Sequence, residues 1–221
     1  YELGQVQFYS LREFHAAQAS FQRVLQIDPE FDEGKARGFL KAAYIKQGNT
    51  FFKQRNFKGA AKQFGNAAQV DPSDAATFYN LGLAHRYARE YSRAEDALTT
   101  AVELNPKYAK AHKSLGDLHK LTGKNSRAAR SYRRAIDIEP RYIDAYLSLS
   151  VVYIEKMKLP AKAVPLLKKA STIALEDVSA FYKEIRARVN PTKKRAEVYL
   201  NLGAAYVAQK KFASAFAAYN K

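Results

Sequence analysis

The stretch Phe78-Tyr79-Asn80-Leu81-Gly82-Leu83-Ala84-His85 returns 34 residues later as His112-Lys113-Ser114-Leu115-Gly116-Asp117-Leu118-His119. A ring, a Leu-Gly pair and a second ring keep their places while the residues between them change. The residues beyond the second ring repeat as well: Ala94, Leu98 and Ala101 are answered by Ala128, Tyr132 and Ala135, and Pro106 by Pro140. Pro72 stands a further 34 residues back, and Pro29 another 43. Each of the four prolines closes a similar tail, namely Gln26-Ile27-Asp28, Gln69-Val70-Asp71, Glu103-Leu104-Asn105 and Asp137-Ile138-Glu139. A fixed period of this length marks a stack of similar supersecondary units.

The pattern extends in both directions. Upstream it reads Tyr44, Gly48, Phe51, Ala60, Phe64, Ala67, Pro72, preceded by a degenerate copy with Phe8, Ala17, Phe21, Val24 and Pro29. Downstream it reads Tyr146, Leu149, Tyr153, Ala163, Leu167, Ala170, with one extra residue near Pro160, and finally Tyr199, Leu202, Gly203, Tyr206, Ala215, Tyr219. The apolar residues recur at three- and four-residue steps, which puts them on one stripe of a helix. No alternating strand pattern occurs, so the spacing predicts an all-α chain. The Gly of Leu-Gly is expected where two helices of a hairpin approach closely, offsetting a propensity cost of about 1 kcal/mol. The proline is expected to open the next helix, where its missing N–H is harmless.

This order of ring, Leu-Gly, ring, Ala, bulky residue and Pro resembles the tetratricopeptide repeat family over nearly the whole chain. The resemblance implies a right-handed α-solenoid of stacked helix-turn-helix hairpins, with a concave groove lined by the first helix of each pair. The implied organisation is one array over residues 1–221, with repeats at about 1–29, 30–74, 75–108, 109–142, 143–177 and 196–221 and an insertion at 178–195. The nine additional residues within Glu30 to Leu40 read as an N-terminal extension of the helix that begins the second repeat, or as a longer loop. In the insertion, Val178, Phe181, Tyr182 and Ile185 fall at helical steps, which suggests an extended or extra helix ended by Asn190-Pro191.

Composition narrows the function. Hydrophobic residues at 47% and charged residues at 26% are ordinary for a soluble globular chain. The absence of cysteine excludes disulfides, thiolate catalysis and cysteine-based metal sites. No apolar run approaches the roughly 20 residues of a membrane span and no signal peptide is visible, which leaves the compartment unassigned with only a weak lean to the cytoplasm. His15, His85, His112 and His119 have no carboxylate or second histidine beside them at ligand spacing. His85 and His119 stand where the repeat carries a ring and are expected to pack between helices. No nucleophile–base pair, phosphate-cradling glycine loop or paired carboxylates stand out. The chain therefore reads as no enzyme, with no catalytic residue, cofactor or metal.

The net charge of +16 implies an anionic partner or a very soluble surface. Nine basic residues between Lys107 and Arg134 face only Asp117. Lys110, Lys113 and Lys120 lie on the first helix of their repeat, where the resemblance puts them in the groove, joined by Arg86 and by Lys46 and Lys53. Arg127, Arg130 and Arg134 run along the second helix, on the outer surface. Lys46-Gln47-Gly48-Asn49 followed by Phe52-Lys53-Gln54 also resembles chaperone-binding members, which clamp a C-terminal carboxylate. Asn49, Asn80 and Lys110 fall at three clamp positions; Ile45 and Ser114 stand where a Lys and an Arg are expected, each beside a lysine, Lys46 or Lys113. The groove set is thus Lys46, Asn49, Lys53, Asn80, Arg86, Lys110, Lys113 and Lys120. The reading is a scaffold or adaptor for an acidic protein or peptide segment; the alternatives are an RNA- or phosphate-binding solenoid and a structural subunit of a large assembly. Phe212, Phe216 and Tyr219 are not followed by a polar capping helix, so further repeats or self-association are expected there.

Overall fold

A computed structural model describes the backbone of all residues except 10–12, 185–190, 209–211 and 220–221, and the side chains except at these and at 33, 175–184, 191–195, 205–208, 212, 213, 216 and 219. All regular structure among the described residues is helical. In chain order the α-helices are α1 (Glu2–Tyr9), α2 (Phe14–Ile27), α3 (Lys35–Lys53), α4 (Phe57–Val70), α5 (Ala75–Tyr87) and α6 (Tyr91–Leu104). Next come α7 (Ala109–Leu121), α8 (Asn125–Ile138), α9 (Ile143–Val151), α10 (Pro160–Glu184), α11 (Pro191–Ala208) and α12 (Phe212–Tyr219). The chain divides into two compact units, Tyr1–Lys107 and Tyr108–Lys221.

In the first unit, Phe21 of α2 packs with Leu40, Ala43 and Tyr44 of α3, and Phe64 of α4 lies among Ala60, Ala61 and Ala84. In the second, Tyr132, Leu149, Val152 and Leu167 form one continuous core with Val198 and Leu202 of α11. Alanine supplies most of the remaining buried positions, so backbones approach while rings fill the gaps.

The glycines at this place in the repeat stand where the hairpins are tightest. A β-carbon at Gly48 would lie 2.7 Å from Phe64, at Gly82 2.6 Å from Leu98, and at Gly116 2.7 Å from Tyr132. Each partner is 16 residues on and is fully or almost fully buried. Gly4 makes the same contact with Phe21 at 2.9 Å in the degenerate first hairpin.

Three hairpin turns share a Schellman-type end, in which one left-handed residue closes the helix. Arg55 (φ 61°), Arg89 (φ 63°) and Gly123 (φ 76°) occupy this place at the 34-residue interval. The N–H groups of Asn56, Glu90 and Lys124 return to the carbonyls of Phe51, His85 and His119 at 2.8–2.9 Å. In the next hairpin the left-handed residue is Lys158 (φ 56°), one place late. The extra residue near Pro160 is absorbed by a π-helical turn, Val152–Lys156, with the Met157 N–H bonded to the Val152 carbonyl at 2.9 Å.

The four repeat prolines, Pro29, Pro72, Pro106 and Pro140, follow helix ends rather than open helices, whereas Pro160 and Pro191 do open α10 and α11. Pro72 lies in the turn between α4 and α5, and Asp28, Asp71, Asn105 and Glu139, each just before a proline, are extended with φ between −141° and −127°. Proline disfavours the helical conformation in the residue before it, and that steric limit sets these helix ends. The additional residues before Leu40 form a 3-10 turn, Phe31–Gly34, and a longer α3 of 19 residues against 13 for α5 and α7. The segment 178–195 is carried by the end of α10, which runs without a break to Glu184, and by the start of α11 at Pro191; Ile185 and the residues to Asn190 lie outside those described.

Candidate peptide-binding cleft

Lys46, Asn49 and Lys53 stand at positions i, i+3 and i+7 of α3, which brings them to one face. That face borders a cleft of about 530 Å³ whose lining is completed by Phe8 and Tyr9 of α1, Phe14 of α2 and Thr50. The rings form a connected wall, with Phe8 edge-on to Tyr9 at 5.0 Å and to Phe14 at 5.5 Å between centroids. Thr50 is occupied by its own helix, its hydroxyl donating to the Lys46 carbonyl at 3.1 Å. Lys46, Asn49 and Lys53 are exposed, and among the described residues no side-chain hydrogen bond or ion pair engages them. The cleft thus offers an apolar wall, two ammonium groups and an amide able both to donate and to accept.

Sequence reasoning anticipated the α3 face but missed Tyr9, Phe14 and Thr50. The dense aromatics of Phe8-Tyr9 and Phe14 were the signal for the opposite wall, of which only Phe8 was read, as part of the degenerate repeat.

The remaining groove candidates divide. Asn80 is half-buried on α5. Arg86 places its guanidinium 4.9 Å from the Tyr87 ring centroid. Tyr87 in turn stacks on Phe57 at 5.1 Å, and Phe52 stands edge-on to both at 5.4 and 5.2 Å. In the second unit Lys110 is exposed and Lys120 half-buried on α7. Lys113 is neutralised within its helix by Asp117 at 2.9 Å, a carboxylate that also accepts from the Tyr132 hydroxyl at 2.8 Å. Arg127, Arg130 and Arg134 are exposed on α8. The two residues standing in for clamp cations are inward: Ile45 packs against both cores of the first unit, and Ser114 is buried.

Of the two histidines expected to pack, His119 is buried and His85 is half-buried against a carboxylate. His119 places Nδ1 3.4 Å from the Ser131 hydroxyl. His85 meets Glu90 at 2.6 Å, and this hydrogen bond leads in holding the Glu90 carboxyl below its ordinary range, with Arg93 and Lys58 adding to it. No cluster of three potential metal ligands occurs among the described residues, and none of their helices is long and apolar enough to cross a membrane.

Tetratricopeptide repeat family models match residues 48–86, 79–143 and 196–221, together more than half of the chain. No curated protein matches it. Among solved structures, the crystal structure of MamA is 27% identical, covering 80% of this chain and 96% of that one with a TM-score of 0.63. YrrB, described as a tetratricopeptide protein with an unusual peptide-binding site, is 23% identical with coverages of 84% and 90% and a TM-score of 0.59. The first repeat domain of Spaghetti (RPAP3), bound to the HSP90 peptide SRMEEVD, is 24% identical with coverages of 52% and 90% and a TM-score of 0.50. The glycine crossings, the 34-residue turns and these matches have one meaning: the chain belongs to the tetratricopeptide repeat family.

Proposed function

We propose that the protein is an interaction scaffold whose Tyr1–Lys107 unit holds an acidic segment of a partner protein in the cleft beside α3. The observation that carries this reading is the convergence of Lys46, Asn49 and Lys53 on a cleft walled by Phe8, Tyr9 and Phe14. An apolar side chain of the partner fits the rings, its neighbouring carboxylates meet the two lysines, and Asn49 takes a peptide group. The aromatic contact supplies most of the affinity, while the charges steer encounter and select against basic segments. The fold has this use elsewhere, as in the RPAP3 domain with its peptide. Lys110 and Lys120 give the second unit a cationic face of its own on α7.

The test is fluorescence polarisation with labelled acidic peptides that carry an aromatic or aliphatic residue beside Glu and Asp. Lys46→Glu with Lys53→Glu should weaken binding at least tenfold, since like charges across an interface cost several kcal/mol. Arg130→Glu with Arg134→Glu, an equal change of charge elsewhere, should change it little. Equal losses from both pairs, or none from either, would overturn the reading.

A further inference from the structure

The turns after α3 and α5 carry an aromatic cluster that the cleft does not use. Tyr87 is half-exposed at 50%, with Phe57 stacked on one face of its ring. Phe52 braces the pair edge-on, and Arg86 lies over the Tyr87 ring. These contacts hold the two turns side by side, so the exposed Arg55 and Arg89 flank the same cluster. Lys58, also exposed, lies near enough to Glu90 to act on its charge. Glu90 is the one acid in these two turns and is already engaged by His85 and Arg93.

Arg55 and Arg89 hold the left-handed place that the next hairpin gives to Gly123. Lys158 takes the corresponding place one hairpin further on, so these left-handed residues cost stability relative to glycine without themselves marking a site.

We propose that this cluster is a binding platform for single-stranded nucleic acid, with an unpaired base taking the place of the Arg86 guanidinium on the Tyr87 ring and the flanking phosphates met by Arg55, Arg89 and Lys58. Arginine suits both parts, because its planar guanidinium stacks on rings and pairs with phosphate oxygens. Base stacking on an aromatic residue is tolerant of sequence, and a patch of three or four cations gives modest affinity and steep salt dependence. The platform is separate from the cleft, since Lys46 and Lys53 take no part in it.

The experiment uses the full chain with fluorescein-labelled 12-nucleotide oligouridylate and oligothymidylate. Both should bind with Kd of about 1–100 μM at low salt, with log affinity falling by about 2–3 per decade of salt. Tyr87→Ala should weaken both about tenfold and leave the salt slope unchanged. Arg89→Gly should weaken binding and reduce the slope by about 0.7 while raising the thermal midpoint, since it removes one phosphate contact and one strained residue. Opposite signs in affinity and stability are not what a purely structural arginine gives. Three outcomes overturn the proposal: no binding at low salt, binding indifferent to Tyr87→Ala, or a duplex bound as tightly as the strand. If Tyr87→Ala instead weakens only the acidic peptides of the cleft test, the surface is a peptide contact and the proposal fails while the cleft reading stands.

Discussion

At Gly48, Gly82 and Gly116 an added methyl group would collide with a buried side chain, whereas at Gly65, inside α4, it would meet nothing within 4 Å. The two kinds of glycine therefore respond oppositely to substitution. Gly65→Ala should stabilise the chain by about 0.5–1 kcal/mol, because alanine loses less backbone freedom in a helix. Gly82→Leu should destabilise it by about 2–3 kcal/mol through overpacking against Leu98. Thermal melts of both variants check this; shifts of the same sign would remove the distinction. The Leu-Gly pair made the crossing legible in sequence, since glycine in a helix interior demands a reason and a bulky residue at a fixed interval supplies one. The left-handed arginines were not legible. Nothing in the letters at 55 or 89 announces a positive φ, and only alignment with Gly123 in three dimensions shows that all three residues do the same work.

Between elements, Lys41 acts as a staple. Its ammonium donates to Asp71 at 2.8 Å and lies 3.4 Å from Asp74, tying α3 to the corner where α4 ends and α5 begins. Asp74 also caps α5, accepting from the Ala76 N–H at 3.0 Å. The Lys41 hydrogen bond, followed by those of Ser73, lowers the Asp71 pKa from 3.8 to about 2. A carboxyl with a depressed folded pKa stabilises the fold above its unfolded value, and that contribution is lost as pH falls from about 4 towards 2. Half-exposed as the pair is, its worth is about 1 kcal/mol after solvent screening. Denaturant titrations at pH 7 and pH 2.5 should show Lys41→Met losing about 1 kcal/mol less than the parent on acidification. An equal loss in both would mean the staple carries no stability. Helix identities and order were readable from periodicity, but the helix ends were not all so: the four repeat prolines were expected to begin helices and in fact follow their ends, because proline's steric demand falls on the residue before it. The cleft was readable on its α3 side only, since its opposite wall comes from a hairpin whose repeat signature is degenerate.

Across the molecule, the net charge of +16 is plain from composition, yet its distribution into paired and available cations is not. Lys41 and Lys113 spend their charge inside the fold, whereas Lys46 and Lys53 border the cleft. Within each unit, helices pack chiefly on those before and after them in the chain. Such local contacts make a repeat close to an independent building block. The interval between Arg55 and Arg89 then defines a cassette. Excising residues 56–89 joins Arg55 to Glu90, sets Gly48 opposite Leu98 in place of Phe64, and keeps the left-handed turn between them. The shortened chain should retain its helicity per residue by circular dichroism and unfold cooperatively at a lower temperature. Removing 33 residues instead rotates everything downstream by about 100° on the helix and should lose cooperativity altogether. Should both deletions behave alike, the period would not govern packing. A gene encoding this chain can accordingly lengthen or shorten by unequal exchange between repeats without passing through an unfolded product, provided that the exchange respects the turn-to-turn interval, which Lys158 has already broken by one.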